Sequence, residues 1–201
     1  TIAGSEDTLD FSYAYDSANN RTFLSYPDGY GVRYAYDTCN RLVSITDSQG
    51  NHLATYDYNA SGNVVKCLNG NGTYTTYAYD VRGRIVGIHY FTAEGALDDY
   101  CQYTYGATGD CTTVTSKEGQ TTFGYDANHQ LTSASYSNGR TVTYVLDASG
   151  NRTKSVESVN EIKYDVNNLD QYTKVGETAY QYDRNGNLIQ KTDPEGTVAY
   201  E

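Results

Sequence analysis

The stretch Gly72-Thr73-Tyr74-Thr75-Thr76-Tyr77-Ala78-Tyr79-Asp80-Val81-Arg82-Gly83-Arg84-Ile85 decides the fold. Tyr77 and Tyr79 alternate with a period of two, which places both rings on one face of a strand. Asp80 accepts bonds from nearby backbone N–H groups and Gly83 tolerates a positive φ, so residues 80–83 reverse the chain. Ile85-Val86-Gly87-Ile88 is the returning strand, apolar on both faces. The stretch reads as one β-hairpin.

The same spelling recurs along the chain. Tyr-Asp or a close relative stands at Tyr15-Asp16, Tyr36-Asp37, Tyr58-Asn59, Tyr79-Asp80, Tyr105-Gly106, Tyr125-Asp126, Leu146-Asp147, Tyr164-Asp165 and Tyr182-Asp183. The spacings are 21, 22, 21, 26, 20, 21, 18 and 18 residues, which makes nine units. Most units carry a second aromatic two residues earlier, among them Tyr13, Tyr34, Tyr56, Phe123 and Tyr180. A second turn closes each unit, often with glycine, as at Gly50, Gly72, Gly119, Gly139, Gly176 and Gly196. An isolated hairpin is marginal in water, so each unit must lean on its neighbours. The expected fold is all-β: repetitive antiparallel hairpins forming a meandering sheet over residues 1–201. The 26-residue spacing puts its excess at 91–99, either a longer surface turn or a contact loop. The two short spacings suggest trimmed turns.

Composition agrees with this reading. Of 201 residues, 23 are Tyr and 19 are Gly, while Trp and Met are absent. Tyr, Thr, Gly and Asn are mediocre or poor helix formers, and aromatics at 13% can bury enough area to argue against disorder. A chain of this length is long enough for a core, but a hydrophobic fraction of 38% is not that of an ordinary one. No run of about 18 apolar residues exists, so no membrane insertion is expected. The net charge of −11 and the lack of a basic cluster argue against nucleic acid as a partner. Residues 1–7 have neither the basic start nor the apolar stretch of a signal peptide.

His52, His89 and His129 fall in different units with no metal-ligand spacing. Asp183-Arg184-Asn185-Gly186-Asn187 looks like the start of a calcium loop, but its twelfth residue is Pro194, where a bidentate Glu is required. No nucleophile elbow, facing carboxylate pair or phosphate loop is spelled. Neither cofactor, metal nor catalytic residue is expected. Cys39, Cys67, Cys101 and Cys111 allow three disulfide connectivities. Cys67 and Cys111 fill aliphatic slots and Cys101 shares a face with Tyr103 and Tyr105, as small apolar fillers do. Cys39 lies in a turn and should be exposed.

The unit quoted first also resembles a known family. Gly-x(3–9)-Tyr-x-Tyr-Asp-x-x-Gly-Arg-Leu is similar to the YD repeat of the Rhs, Tc-toxin C-component and teneurin group, over about residues 4–201. That resemblance implies a large hollow β shell. Bacterial members enclose a toxic C-terminal polypeptide, and animal members present the shell outside the cell. The implied partners are further repeats of a longer chain and an enclosed C-terminal domain, and the implied location is extracellular. The repeats themselves would be non-catalytic. Asp193-Pro194-Glu195-Gly196 has the spelling of the family's self-cleavage segment, yet it occupies the second-turn slot and reads as a turn. Both ends cut through a repeat, so the expectation is a fragment of a longer protein. The alternative is a glycan-binding or adhesion module, since tyrosine faces stack on sugars; a glycan or cell-surface protein would then be the partner.

Overall fold

The computed structural model describes residues 10–200, and every regular element in that range is a β-strand. Residues 1–9, including the opening read above for a signal peptide, and Glu201 lie outside the described residues. The chain divides into two compact units, Thr1–Gln102 and Tyr103–Glu201.

Strands follow one another as antiparallel neighbours. In the first unit β1 (Ser12–Tyr15) pairs β2 (Arg21–Ser25), β3 (Gly31–Tyr36) pairs β4 (Leu42–Asp47), β5 (His52–Tyr58) pairs β6 (Val64–Asn69), and β7 (Tyr74–Tyr79) pairs β8 (Ile85–Phe91). The long β9 (Leu97–Tyr105) pairs β8, and β10 (Cys111–Ser116) is the first whole strand of the second unit. In the second unit β11 (Gly119–Tyr125) pairs β12 (Leu131–Tyr136), β13 (Thr141–Leu146) pairs β14 (Arg152–Glu157), β15 (Asn160–Val166) pairs β16 (Tyr172–Val175), and β17 (Thr178–Tyr182) pairs β18 (Leu188–Asp193). β19 (Gly196–Ala199) returns along β18.

One irregularity repeats in nearly every hairpin. Tyr34 faces Ile45 and Ala35 faces Ser44, but Tyr36 faces Leu42, so Val43 is an extra residue. The same shift falls between Asp57 and Tyr58, Ala78 and Tyr79, Gly124 and Tyr125, and Gln181 and Tyr182. In a regular strand Leu42 and Ile45, three apart, would point to opposite faces. The bulge sets both opposite the two tyrosines of β3, as it does Ile85 and Ile88 opposite Tyr79 and Tyr77. The returning strand, apolar on both faces by simple alternation, thus aligns two apolar residues with the rings.

Two sequence expectations change here. The extra length near 91–99 forms no long loop. Residues 92–96 make a tight turn, with the Gly95 N–H donating to the Thr92 carbonyl at 3.0 Å, and the excess extends the ladder through Tyr90–Asp99 and Phe91–Leu97. The pair Tyr164-Asp165 does not open a turn. Both residues lie inside β15, and the turn opens two residues later at Val166-Asn167, where the Asn167 N–H donates to the Gln171 carbonyl. Leu146 to Val166 is then 20 residues and Val166 to Tyr182 is 16, so one unit is short rather than two. The shortening there lies in β16 and β17, of four and five residues, which flank a two-residue turn, Gly176-Glu177.

The core of the described residues is slight, as the low hydrophobic fraction implies. Among the described residues, the buried hydrophobic side chains are Leu24, Val32, Ala54, Ala134 and Val142, and none is wholly enclosed. Stability therefore comes from cross-strand pairs and ladder hydrogen bonds. Ala134, 3% exposed, sits between Phe123 and Val142 on adjacent strands. Ala134→Asp should cost about 3 kcal/mol or more by placing a charge there without a partner. Val81→Asp, at a turn tip that is fully exposed, should stay within about 0.5 kcal/mol of the parent. Urea unfolding checks both, and equal losses would contradict the burial pattern.

Candidate functional site

The residues expected to carry the repeat gather at the tyrosine–aspartate turns, where each hairpin meets its predecessor. The aspartate staples its own turn. Asp80 Oδ1 accepts from the N–H of Arg82 at 2.8 Å and of Arg84 at 3.0 Å. Asp16, Asp37, Asp126, Asp147 and Asp183 make the same pair of bonds two and four residues ahead. Asn59 and Asn167 do so with an amide oxygen. The third residue after each of these takes a positive φ: Gly83 at 78°, Gly186 at 84°, Asn40 at 59°, His129 at 63°. Glycine, asparagine or aspartate serves there in most turns because left-handed backbone is least costly for them.

The other carboxylate oxygen holds the side chain four residues on. Asp37 Oδ2 accepts from Arg41 Nε at 2.7 Å, and Asp80 from Arg84 Nε at 2.7 Å. Asn20, Asn151 and Asn187 fill the same role with amides. These fourth residues then reach the next repeat. The Arg41 guanidinium lies 4.5 Å from the Tyr58 ring centre. Asn20 Nδ2 donates to Asn40 Oδ1 at 3.0 Å, and Asn151 Nδ2 to Asp170 Oδ1 at 2.7 Å. Sequence reading took these residues as turn spelling only; the signal was their fixed position after the aspartate.

Each repeat tyrosine supplies the link in the opposite direction. Pairing between β2 and β3 ends at Phe23 and Arg33, so the Arg21 carbonyl lies beyond the paired stretch. The Tyr36 hydroxyl donates to it at 3.0 Å. Tyr58 donates to the Leu42 carbonyl at 2.7 Å, Tyr79 to Val64 at 2.8 Å, Tyr125 to Cys111 at 2.8 Å and Tyr182 to Tyr172 at 3.0 Å. Every acceptor lies five residues after the previous turn opener. A carbonyl left over where two strands part thus receives its hydrogen bond from a side chain.

Other expected positions differ. Tyr15 is 57% exposed on β1. Tyr105 leads into a turn opened by Gly106, which offers no carboxylate. There Asp110 Oδ2 accepts from Thr108 Oγ1 at 2.7 Å and lies 2.7 Å from His129 Nδ1 of the next turn. Tyr164 is 3.1 Å from Ser155 Oγ, and Asp165 pairs in register with Lys174. Asp183, the calcium-loop candidate, spends its oxygens on Asn185 and Asn187. Asp193-Pro194-Glu195-Gly196 is the turn between β18 and β19, with Asp193 paired to Lys191 at 2.8 Å. The four cysteines are free, and Cys39 is exposed. Among the described residues no three His, Cys, Asp or Glu side chains converge on a point that could hold a metal.

Ionisation reflects the staples. The Asp37 and Asp80 carboxyls are held below the ordinary value, first by the backbone N–H of Arg41 and Arg84. Asp16, Asp47 and Asp183 are lowered first by the side-chain amides of Asn20, Asn51 and Asn187. Asp147 is lowered first by the Asn151 N–H.

Known proteins share this pattern. The teneurin YD-shell family matches residues 108–201, and the RHS repeat family matches residues 15–52 and 58–97. The tRNA3(Ser)-specific nuclease WapA of Bacillus spizizenii is 30% identical over 185 residues, covering 88% of this chain and 8% of that protein. The tRNA nuclease WapA of Bacillus subtilis is 29% identical over 185 residues, with the same coverage. The chain therefore spans 8% of the length of these curated relatives. Among solved structures, the Photorhabdus luminescens Tc holotoxin pore aligns with a TM-score of 0.75 at 17% identity, covering 98% of this chain and 12% of that one. The TcdB2-TccC3 crystal structure aligns at 0.74 with 18% identity, covering 94% and 12%. At these identities the likeness is one of fold.

Two outcomes follow from the junction geometry. Tyr79→Phe keeps the ring but leaves the Val64 carbonyl without its donor, at an expected cost of about 1–3 kcal/mol. Tyr79→Ala should cost more, about 3–5 kcal/mol where the ring is packed, whereas Tyr200→Ala, at a half-exposed ring, should change stability by under about 0.5 kcal/mol. Chemical denaturation of the three variants checks this order. The lowered aspartates set the second outcome. A carboxyl lower in the folded than in the unfolded chain adds stability above its unfolded value of about 3.9, and that stability is lost as pH falls through the folded value. The urea midpoint should be nearly flat from about pH 7 to 5 and fall steeply below about pH 4. A midpoint that held or rose on acidification to about pH 3 would refute the staple account.

Proposed function

Because the chain belongs to the YD-repeat family, the group of the RHS repeat and the teneurin YD-shell, we propose that it is a non-catalytic wall segment of a larger exported protein. In this reading residues 1–201 form one repeat region, and further repeats of the parent chain complete a β shell. The shell encloses or presents a C-terminal toxin or effector polypeptide outside the producing cell.

The observation that carries this reading is the directional junction. Each repeat offers a leftover carbonyl forward and a tyrosine hydroxyl backward, so the same bond joins Tyr36, Tyr58 and Tyr79 to their predecessors. Such a sheet extends by repetition and spends its polar side chains on its own construction. The turn-opening aspartates are acceptors already occupied by backbone N–H groups. The curated relatives are named as tRNA nucleases, and this chain would stand to such an activity as carrier. Its own charge of −11 repels an RNA backbone.

Glycan binding fits the geometry less well. The prominent aromatic group, Tyr74, Phe91, His89 and Tyr100, stacks upon itself, with Tyr74 and Phe91 centred 4.5 Å apart at 11° and His89 and Tyr100 6.2 Å apart. Each stacked pair covers one face of its rings, which reduces the area open to a sugar.

Protease protection tests the wall reading. In the parent protein the C-terminal polypeptide should resist cleavage, and Tyr58→Ala combined with Tyr79→Ala should expose it. A C-terminal polypeptide cut equally fast with and without the substitutions would sink the proposal.

A further inference from the structure

The hydroxyl link is missing at two consecutive junctions. Leu146 and Val166 stand where Tyr36, Tyr58, Tyr79, Tyr125 and Tyr182 stand in other repeats, each just after a bulge and just before a turn opener. Neither can donate to the preceding repeat. The acceptors by position would be the carbonyls of Leu131 and Arg152.

Other weaknesses fall on the same segment. β15 and β16 share three register pairs, and β16 and β17 share two, where β7 and β8 share six. Ser158 holds a positive φ of 55° without being glycine, asparagine or aspartate. Val159 and Leu169 are exposed. Side chains partly replace the missing links. The Arg152 guanidinium lies 4.3 Å from the Tyr144 ring centre and 5.5 Å from that of Tyr164, while Tyr172 Oη accepts from the Arg152 N–H at 3.0 Å. That substitute is itself imperfect, because Arg152 Nε is buried without a partner.

We propose that residues 146–175 are a built-in opening segment, which unfolds locally while the repeats on either side stay closed. In a repeat array each unit is held chiefly by its two neighbours. Two adjacent junctions without their link therefore set the place of lowest local stability. A wall that later releases what it holds would part there; that use rests on the wall reading, but the local opening does not.

Hydrogen exchange on the whole chain tests the segment without reference to any cargo. Amides of β14, β15 and β16 should exchange about thirtyfold faster than those of β11, whose Tyr125 keeps its link, on one side and β18 on the other, as two absent hydrogen bonds near 1 kcal/mol each imply. Exchange that rises steadily from β11 to β18 would mean simple fraying and would overturn the proposal, as would uniform protection. A second measurement creates the defect elsewhere. Tyr58→Phe keeps the ring and removes only the donor to Leu42, so protection in β4 and β5 should fall about fivefold. Unchanged protection there would show that the hydroxyl does not set local opening, and would overturn the proposal independently.

Discussion

The hydrogen bond from a repeat tyrosine to the carbonyl of the preceding repeat is the constraint on which the rest depends. Strands from adjacent hairpins part before they reach the aspartate turn, as where the β2–β3 pairing stops at Phe23 and Arg33. The carbonyl beyond that point needs a donor, and no backbone N–H is in register to give it. A phenol on a long rigid ring reaches it. Phenylalanine would fill the same space and leave the carbonyl bare. This accounts for tyrosine at Tyr36, Tyr58, Tyr79, Tyr125 and Tyr182.

The bulge before each repeat tyrosine serves the same end. It turns the returning strand so that Leu42 and Ile45, or Ile85 and Ile88, both lie opposite rings. Each junction then combines a polar bond at its end with apolar contact along its length. With five buried hydrophobic side chains among the described residues, such junctions must carry stability that a core would carry in a globular domain. Nearest-neighbour coupling of this kind lets stability vary from repeat to repeat. The junctions at Leu146 and Val166 differ from the others for that reason.

The acidic balance has a structural origin. Aspartates at the turn openers accept two backbone N–H groups and one side chain each, a task that requires an ionised carboxylate or an amide. Many of the acidic side chains are therefore internal fasteners. They are held in the charged form by hydrogen bonds, so acid attacks the turns first. An Arg such as Arg41 bridges its own turn and the next tyrosine, which couples turn closure to repeat stacking.

Hairpins, their number and their turn residues were legible in the sequence, because period-two alternation and the aspartate-to-glycine turn are local rules that act within ten residues. The family resemblance rested on the same local spelling. The bulge was not legible, since alternation assigns Val43 a place in the ladder and only the pairing with β3 excludes it. The eighth repeat was read two residues early because Tyr164-Asp165 has the expected letters, whereas the turn forms at Asn167, whose amide oxygen meets N–H groups at the right distance. The linking role of Tyr36 or Asn20 joins atoms 15 to 20 residues apart. Sequence alone determined that tyrosine and aspartate recur; the tertiary structure decided which atoms they reach, because a leftover carbonyl exists only once two strands have paired and parted.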